Sequence, residues 1–180
     1  METDNLQKWE PTDEDNLPDR KNMRYRGFDY SECGAYMVTI CTNNRQRLFG
    51  EVVPEFSENS GGLIGAEFKP SSVGKMIEDV WNRNPDVYDN VENENYVIMP
   101  DHFHAIIVLK KSEIKRSLDS VVEAFKSVTD REYKKIAGKD AVLWQRNFYD
   151  SILDSEKRYI NAVNYIIDNP VLWAAGKDKY

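Results

Sequence analysis

Basic charge, cysteine and histidine are all scarce in this chain. Lys plus Arg number 24 against 31 Asp plus Glu, a net charge of −7 over 180 residues. Unspecific attraction to nucleic acid or to an anionic membrane is therefore excluded, and a polyanionic partner must meet a local basic patch. The two cysteines, Cys33 and Cys41, have no Cys or His beside them. That spacing fits neither a disulfide framework nor a zinc knuckle, and it points to a reducing compartment. No apolar segment opens the chain, and no window approaches the roughly 18 apolar residues that a membrane span needs. The expectation is a cytoplasmic protein without a membrane partner. No segment repeats at a fixed period, and the one Gly/Ser-rich stretch, residues 57–62, is short enough to be a surface loop.

Hydrophobic residues make up 41% of the chain and aromatics 12%, enough to build a core and to argue against wholesale disorder. The length favours one domain. Charge is uneven: residues 1–20 carry −5, 21–50 carry +3, 51–101 carry −8, 110–139 carry +4, and 102–109 carry none. Residues 1–20 also hold Pro11 and Pro18 and show no apolar period, so they read as an acidic flexible tail. Residues 21–180 read as the single domain.

Tyr36 to Cys41 is apolar and β-branched and precedes a turn-like Asn43-Asn44, which predicts a strand, with Phe49 to Val53 as its partner. Ser71 or Ser72 can cap a helix whose apolar positions Val73, Met76, Ile77, Val80 and Trp81 follow the 3.6 period up to Asn84-Pro85. Ser72-Val-Gly-Lys75 lacks the earlier glycine of a phosphate loop and is a helix start. Tyr96 to Met99 and His102 to Leu109 are apolar runs joined by Pro100-Asp101, hence adjacent antiparallel strands. Leu118, Val121, Val122, Phe125, Val128, Thr129, Tyr133 and Ile136 mark the inner stripe of a second helix ended by Gly138. Trp144 to Ile152 reads as a strand. Asp154 or Ser155 caps a last helix that runs to Asn169, ahead of Pro170. The order β-β-α-β-β-α-β-α predicts an α+β, ferredoxin-like antiparallel sheet with helices packed on one face.

His102 and His104 are the only histidines, two apart on a predicted strand, so both project from one face. Paired imidazoles can begin a divalent metal site once a third ligand arrives. Taken alone, a His-x-His pair is more often two satisfied polar residues. On the last helix, the apolar Tyr159, Ile160, Val163, Ile166 and Ile167 share one arc, whereas Tyr165, Asn169 and Arg158 fall on the other side. A tyrosine so placed is ordinarily a surface residue. Tyr133 falls inside its helix's stripe and reads as core. Tyr149 could be structural or could stack on substrate.

Several of these segments occur together in one known family. Tyr36 to Arg45, Val97 to His104 with its Pro100-Asp-His-Phe-His104, Phe125-Lys-Ser127, Trp144-Gln-Arg-Asn-Phe-Tyr-Asp150 and Tyr165-Ile-Ile-Asp-Asn-Pro170 resemble the single-tyrosine HUH transposases. The resemblance is greatest to the REP-associated tyrosine transposase branch and covers roughly residues 24–173. It implies an HUH endonuclease fold and a metal-dependent single-stranded DNA endonuclease and strand transferase. His102 and His104 would be metal ligands and Tyr165 the nucleophile that forms a 5′-phosphotyrosine. Asn169 is the candidate third ligand, with Asp101 or Gln145 as replacements. The implied cofactor is a divalent metal, Mg or Mn, and the implied partner is single-stranded or hairpin DNA, bound by a monomer or homodimer. Candidate DNA contacts are Arg24, Arg26, Arg45, Arg47, Lys110, Lys111, Lys126, Arg131, Gln145, Arg146, Tyr149 and Arg158, with Phe103 and Phe148 as further stacking surfaces. Two rivals stand beside this reading: a catalytically idle DNA- or RNA-binding module on the same fold, and a hydrolase that uses metal-activated water.

Overall fold

Strand alternation and three serine-capped helices account for most of the architecture. The computed structural model describes residues 33–83, 88–113 and 116–178, together with 29 and 31. The expected tail at 1–20, and Arg24 and Arg26, lie outside the described residues. The elements run β1 (Gly34–Cys41), β2 (Gly50–Phe56), β3 (Leu63–Pro70), α1 (Ser72–Trp81), β4 (Val91–Met99), β5 (His102–Leu109), α2 (Leu118–Ala137), β6 (Tyr149–Ile152) and α3 (Glu156–Ala174). Four strands form one sheet in the order β4-β5-β1-β6, with every pair antiparallel. Removing the β2–β3 hairpin and α3 leaves βαββαβ with the first and third strands central, which is the ferredoxin-like arrangement.

Two expectations of topology are corrected. The partner of β1 is not the segment at Phe49 to Val53: β2 pairs with β3 as a separate two-stranded sheet, and β1 lies between β5 and β6. The Gly/Ser-rich stretch at 57–62 is the turn of that hairpin. The helices also do not all share one face. Tyr36, Val38 and Ile40 of β1 and Phe103, Ala105, Ile107 and Leu109 of β5 pack in the main core with Val73, Ile77 and Trp81 of α1 and Leu118, Val122 and Phe125 of α2. Residues of the opposite parity, Met37, Ile106 and Val108, pack with Ala162 and Ile166 of α3. Because side chains alternate along a strand, α3 covers the other side of the sheet. His102 and His104 share parity with Ile106 and therefore face α3.

The main core is aromatic at its centre. Trp81 lies edge-on to Phe103 and Phe125, at centroid distances of 4.9 and 5.2 Å, in the tilted geometry that aromatic quadrupoles favour. Phe103 is fully buried there and offers no stacking surface, whereas Phe148 packs partly buried against the same cluster. Trp144 to Phe148 is not strand: Trp144 forms a single bridge to Thr42, and its indole donates to Thr129 Oγ1 at 2.8 Å. Among the described residues no helix is long and apolar enough to cross a membrane.

Helix α1 begins where a side chain and a close approach together require it. Ser71 Oγ accepts from the Gly74 N–H at 3.1 Å and donates to the Leu48 carbonyl at 2.7 Å, the N-cap contact that satisfies an otherwise orphaned amide. A Cβ at Gly74 would stand 2.1 Å from the Phe49 carbonyl oxygen. Gly74→Ala is therefore expected to destabilise the fold by about 2 kcal/mol or more, as overpacking against backbone does, measured by urea denaturation. An unchanged midpoint would show that the helix shifts freely away from β2.

Candidate active site

β5 and β1 hold the two histidines through their register. Antiparallel pairing sets Thr39 opposite His104 and Cys41 opposite His102. Thr39 Oγ1 lies 2.7 Å from His104 Nδ1, and Asp101 Oδ1 lies 2.7 Å from His102 Nδ1. Both rings are fully buried, with centroids 4.6 Å apart. A carboxylate can only accept, so the Asp101 contact calls for a proton on His102 Nδ1, and in the neutral ring the lone pair is then on Nε2. Burial, with smaller contributions from His102 and Arg45, holds the pKa of His104 well below its usual value. His104 is thus neutral at physiological pH, the form that ligates metals.

α3 brings Tyr165 to them. Its ring centroid is 5.3 Å from that of His104. The expected position of Tyr165, away from the packing stripe, is corrected. Ile160 and Ile167 are 48% and 61% exposed, whereas Ala162, Ile166 and Asn169 are buried. The packed arc is thus rotated by about 90° from the isoleucine-rich one, and half-buried Tyr165 lies at its edge. Small Ala162 and polar Asn169 carry no hydrophobic signal, yet they are the residues that fit against the sheet.

The helix also continues past Pro170, against expectation. Proline removes the bond to the Ile166 carbonyl, but the further turn sets the Trp173 ring 5.9 Å from His102. Lys177 N–H then bonds the Leu172 carbonyl and Gly176 N–H the Trp173 carbonyl, with Gly176 at φ +66. This is a Schellman motif, which turns the chain back at a left-handed glycine. The reversal delivers Asp178, a residue that the sequence reading missed. Its Oδ1 accepts from the Tyr165 hydroxyl at 3.2 Å, and its Oδ2 lies 3.9 Å from His102 Nε2.

His102, His104 and Asp178 offer ligand atoms within 4.8 Å of one another and could hold a metal ion. Two imidazole nitrogens and a carboxylate oxygen suit Mn, Mg or Zn. The amide of Asn169 is fully buried, and neither its Oδ1 nor its Nδ2 has a hydrogen-bond partner among the described residues. Buried amides are rarely left so, and a ligand that approaches α3 would satisfy it. Asp101, one of the replacement third ligands, instead orients His102 and pairs with Arg45 at 3.2 Å.

The other candidate contacts divide by position. Arg47 is exposed, with its guanidinium carbon 5.2 Å above the Trp173 ring. Tyr149 is 41% exposed and pairs in register with Thr39, which puts it on the histidine face about 10 Å from His104. Arg146 is exposed in the neighbouring loop, and the backbone N–H of Gln145 bonds the Cys41 carbonyl. Lys126 is not a free phosphate contact: its ammonium donates to the carbonyls of Gln145 and Arg146 at 2.7 and 2.9 Å, and burial lowers its pKa. It therefore ties the Phe125-Lys-Ser127 segment to the Trp144-Gln-Arg146 segment. Arg131 is exposed on α2, across the sheet from the histidines. Lys110 pairs with Glu92, and it and Lys111 lie at the far end of β5, about 20 Å from His104. Arg158 pairs with Asp154 at 3.2 Å at the start of α3.

No protein-family model matches the chain. An uncharacterized protein of Haemophilus influenzae strain Rd is 28% identical over 174 residues, covering 86% of this chain and 89% of that protein. Among solved structures, a REP-associated tyrosine transposase bound to a REP hairpin superposes at a TM-score of 0.59 and 19% identity, over 87% of this chain and 76% of that one. A protein of Deinococcus radiodurans R1 aligns at a TM-score of 0.47 and 16% identity, over 82% of this chain and 96% of the other. The likeness at 0.59 concerns architecture, and together with the βαββαβ order it gives this chain the α+β fold of the REP-associated tyrosine transposases.

Proposed function

We propose that this protein is a metal-dependent single-stranded DNA endonuclease and strand transferase of the REP-associated tyrosine transposase kind, with Tyr165 as nucleophile. The observation that carries the reading is the convergence of His102, His104 and Tyr165, from two different elements, in one cluster completed by Asp178.

His102 and His104 would hold the metal, with Asn169 as the proposed third ligand and Asp178 as the carboxylate that the geometry adds. A divalent ion there, Mg or Mn, supplies Lewis-acid polarisation of the scissile phosphate and neutralises its charge. The remaining chemistry belongs to the chain. A free tyrosine has a pKa of about 10 and is a weak nucleophile at neutral pH. Asp178 Oδ1 accepts from its hydroxyl, so the proton has a place to go as the Tyr165 oxygen bonds to phosphorus. The P–O3′ bond breaks, the 3′ oxygen takes up a proton, and the 5′ phosphate stays on Tyr165. The phosphodiester energy is conserved in that bond, so the 3′-OH can reverse the reaction and join strands without a nucleotide cofactor.

The substrate is single-stranded DNA, in hairpin form. Arg47, Arg146 and Tyr149 supply charge and a stacking ring around the site. With a net charge of −7, affinity has to come from these local contacts, and it is expected to fall with salt as each releases counterions. The test is a panel of single-stranded hairpins incubated with Mn, Mg or EDTA and resolved on a denaturing gel. Metal-dependent cleavage with protein attached to the 5′ fragment supports the reading. Binding without cleavage favours the idle module, and cleavage without attachment favours the hydrolase.

A further inference from the structure

The Arg45 side chain is 28% exposed and directs its guanidinium to Asp101, the residue beside His102. Arg45 sits in the turn Asn43–Arg45 that follows β1, where Asn44 and Arg45 both adopt left-handed backbone, at φ 53 and 56. Two consecutive non-glycine residues in that region are strained and persist only where surrounding contacts over-determine them. Here the contacts are specific. Thr42 N–H bonds the Asp101 carbonyl at 2.9 Å, and Thr42 Oγ1 donates to the Gln46 and Asp101 carbonyls at 2.8 and 3.0 Å. The turn after β1 is thereby stitched to the Pro100-Asp101 turn between β4 and β5.

From that backbone the guanidinium makes two inward contacts. Arg45 Nη1 donates to Cys41 Sγ at 2.9 Å, and Nε lies 3.2 Å from Asp101 Oδ2. The Asp101 side chain is 9% exposed, and its other oxygen is the one that holds His102 Nδ1. We propose that Arg45 is a positioning residue for the metal site: it fixes the Asp101 carboxylate, which fixes the His102 ring with its Nε2 lone pair toward Asp178. The inference rests on the reading of His102 and His104 as metal ligands. It replaces the expectation that Arg45 contacts DNA phosphate.

The physical case lies in the shared carboxylate. Each Asp101 oxygen has one partner, so the group cannot rotate without breaking a charge-assisted bond. Remove the guanidinium and Oδ2 loses its countercharge inside a nearly closed site. The carboxylate then turns to find another donor, and His102 loses the contact that selects its tautomer and orientation. Partners of this kind typically change metal affinity by about 10–100-fold when lost. Cys41, buried at the end of β1, completes the clamp by accepting from the same guanidinium.

The experiment compares full-length wild type, Arg45→Ala, Arg45→Lys and Asp101→Asn. Mn affinity without DNA is measured by electron paramagnetic resonance, hairpin affinity without metal across a salt series, and the His102 tautomer by nitrogen-15 NMR of the metal-free protein. Arg45→Ala is expected to weaken Mn binding by about 10–100-fold, with Lys restoring part of it, while hairpin affinity and its salt slope stay near wild type. Unchanged Mn affinity with weaker hairpin binding and a salt slope smaller by about one would make Arg45 a phosphate contact and overturn the proposal. If wild type binds no Mn, the metal reading of the site fails by itself, and the NMR signal still decides the clamp. A single Nδ1-protonated form in wild type that becomes mixed in Arg45→Ala supports it; identical spectra overturn it. Should Arg45→Ala not fold, the Arg45→Lys and Asp101→Asn spectra serve the same comparison.

Discussion

Tyr165→Phe is expected to reduce hairpin cleavage to background, a loss on the order of 10⁴-fold or more, the scale on which removing a nucleophile acts. The fold should survive. The substitution deletes one hydroxyl from a half-buried position and with it the bond to Asp178, so the cost is about 1 kcal/mol, typical of a single hydrogen bond. Two control tyrosines should retain activity when changed to Phe. Tyr133 is a residue of α2 buried in the main core, across the sheet from the histidines, and Tyr149 lies on the correct face but two strands away from His104. Adduct formation by Tyr165→Phe would move the nucleophile to another tyrosine.

The second large effect is expected at the histidines. Wild type should gain thermal stability on adding Mn, by about 2.7 kcal/mol when the free metal is a hundred times its dissociation constant. His104→Ala and His102→Ala should lose that gain and lose cleavage with it. Each should also destabilise the metal-free protein, because both rings are fully buried and removal of His104 leaves a cavity and takes the ring partner from the Thr39 hydroxyl. About 2–4 kcal/mol is the expected cost. The metal-induced difference, rather than absolute stability, is therefore the quantity to compare by differential scanning calorimetry. A metal-induced gain that persists in both variants would place the ion elsewhere.

What could be read from the sequence was local. The Pro100-Asp101 hairpin, the Ser71 cap of α1 and the shared face of His102 and His104 follow from turn chemistry, capping and period 2, and all three stand. The pairing of β2 with β3 was not legible, because strand partners are chosen by burial over distance and not by the segment's own pattern. The packed face of α3 was misread for a related reason. Hydrophobic periodicity weights the large residues Ile160 and Ile167, while close contact with the sheet selects Ala162 and uses Asn169 for its polar atoms. Asp178 is brought in by the chain reversal at Gly176, a signal that glycine two residues beyond a helix could have supplied. Arg45 and Lys126, expected as phosphate contacts, have partners within the protein: one lies 3.2 Å from Asp101 Oδ2 and the other donates to the carbonyls of Gln145 and Arg146. Sequence gives a charge its sign, whereas only tertiary structure gives it a partner.

The most direct test of the account is to incubate wild type with a single-stranded hairpin in Mn, denature the products and map any attached nucleotide by peptide mass spectrometry. The account predicts a covalent adduct whose DNA is joined through its 5′ phosphate to the Tyr165 peptide, absent in EDTA. Cleavage that yields a free 5′ phosphate and an unmodified Tyr165 peptide would contradict it.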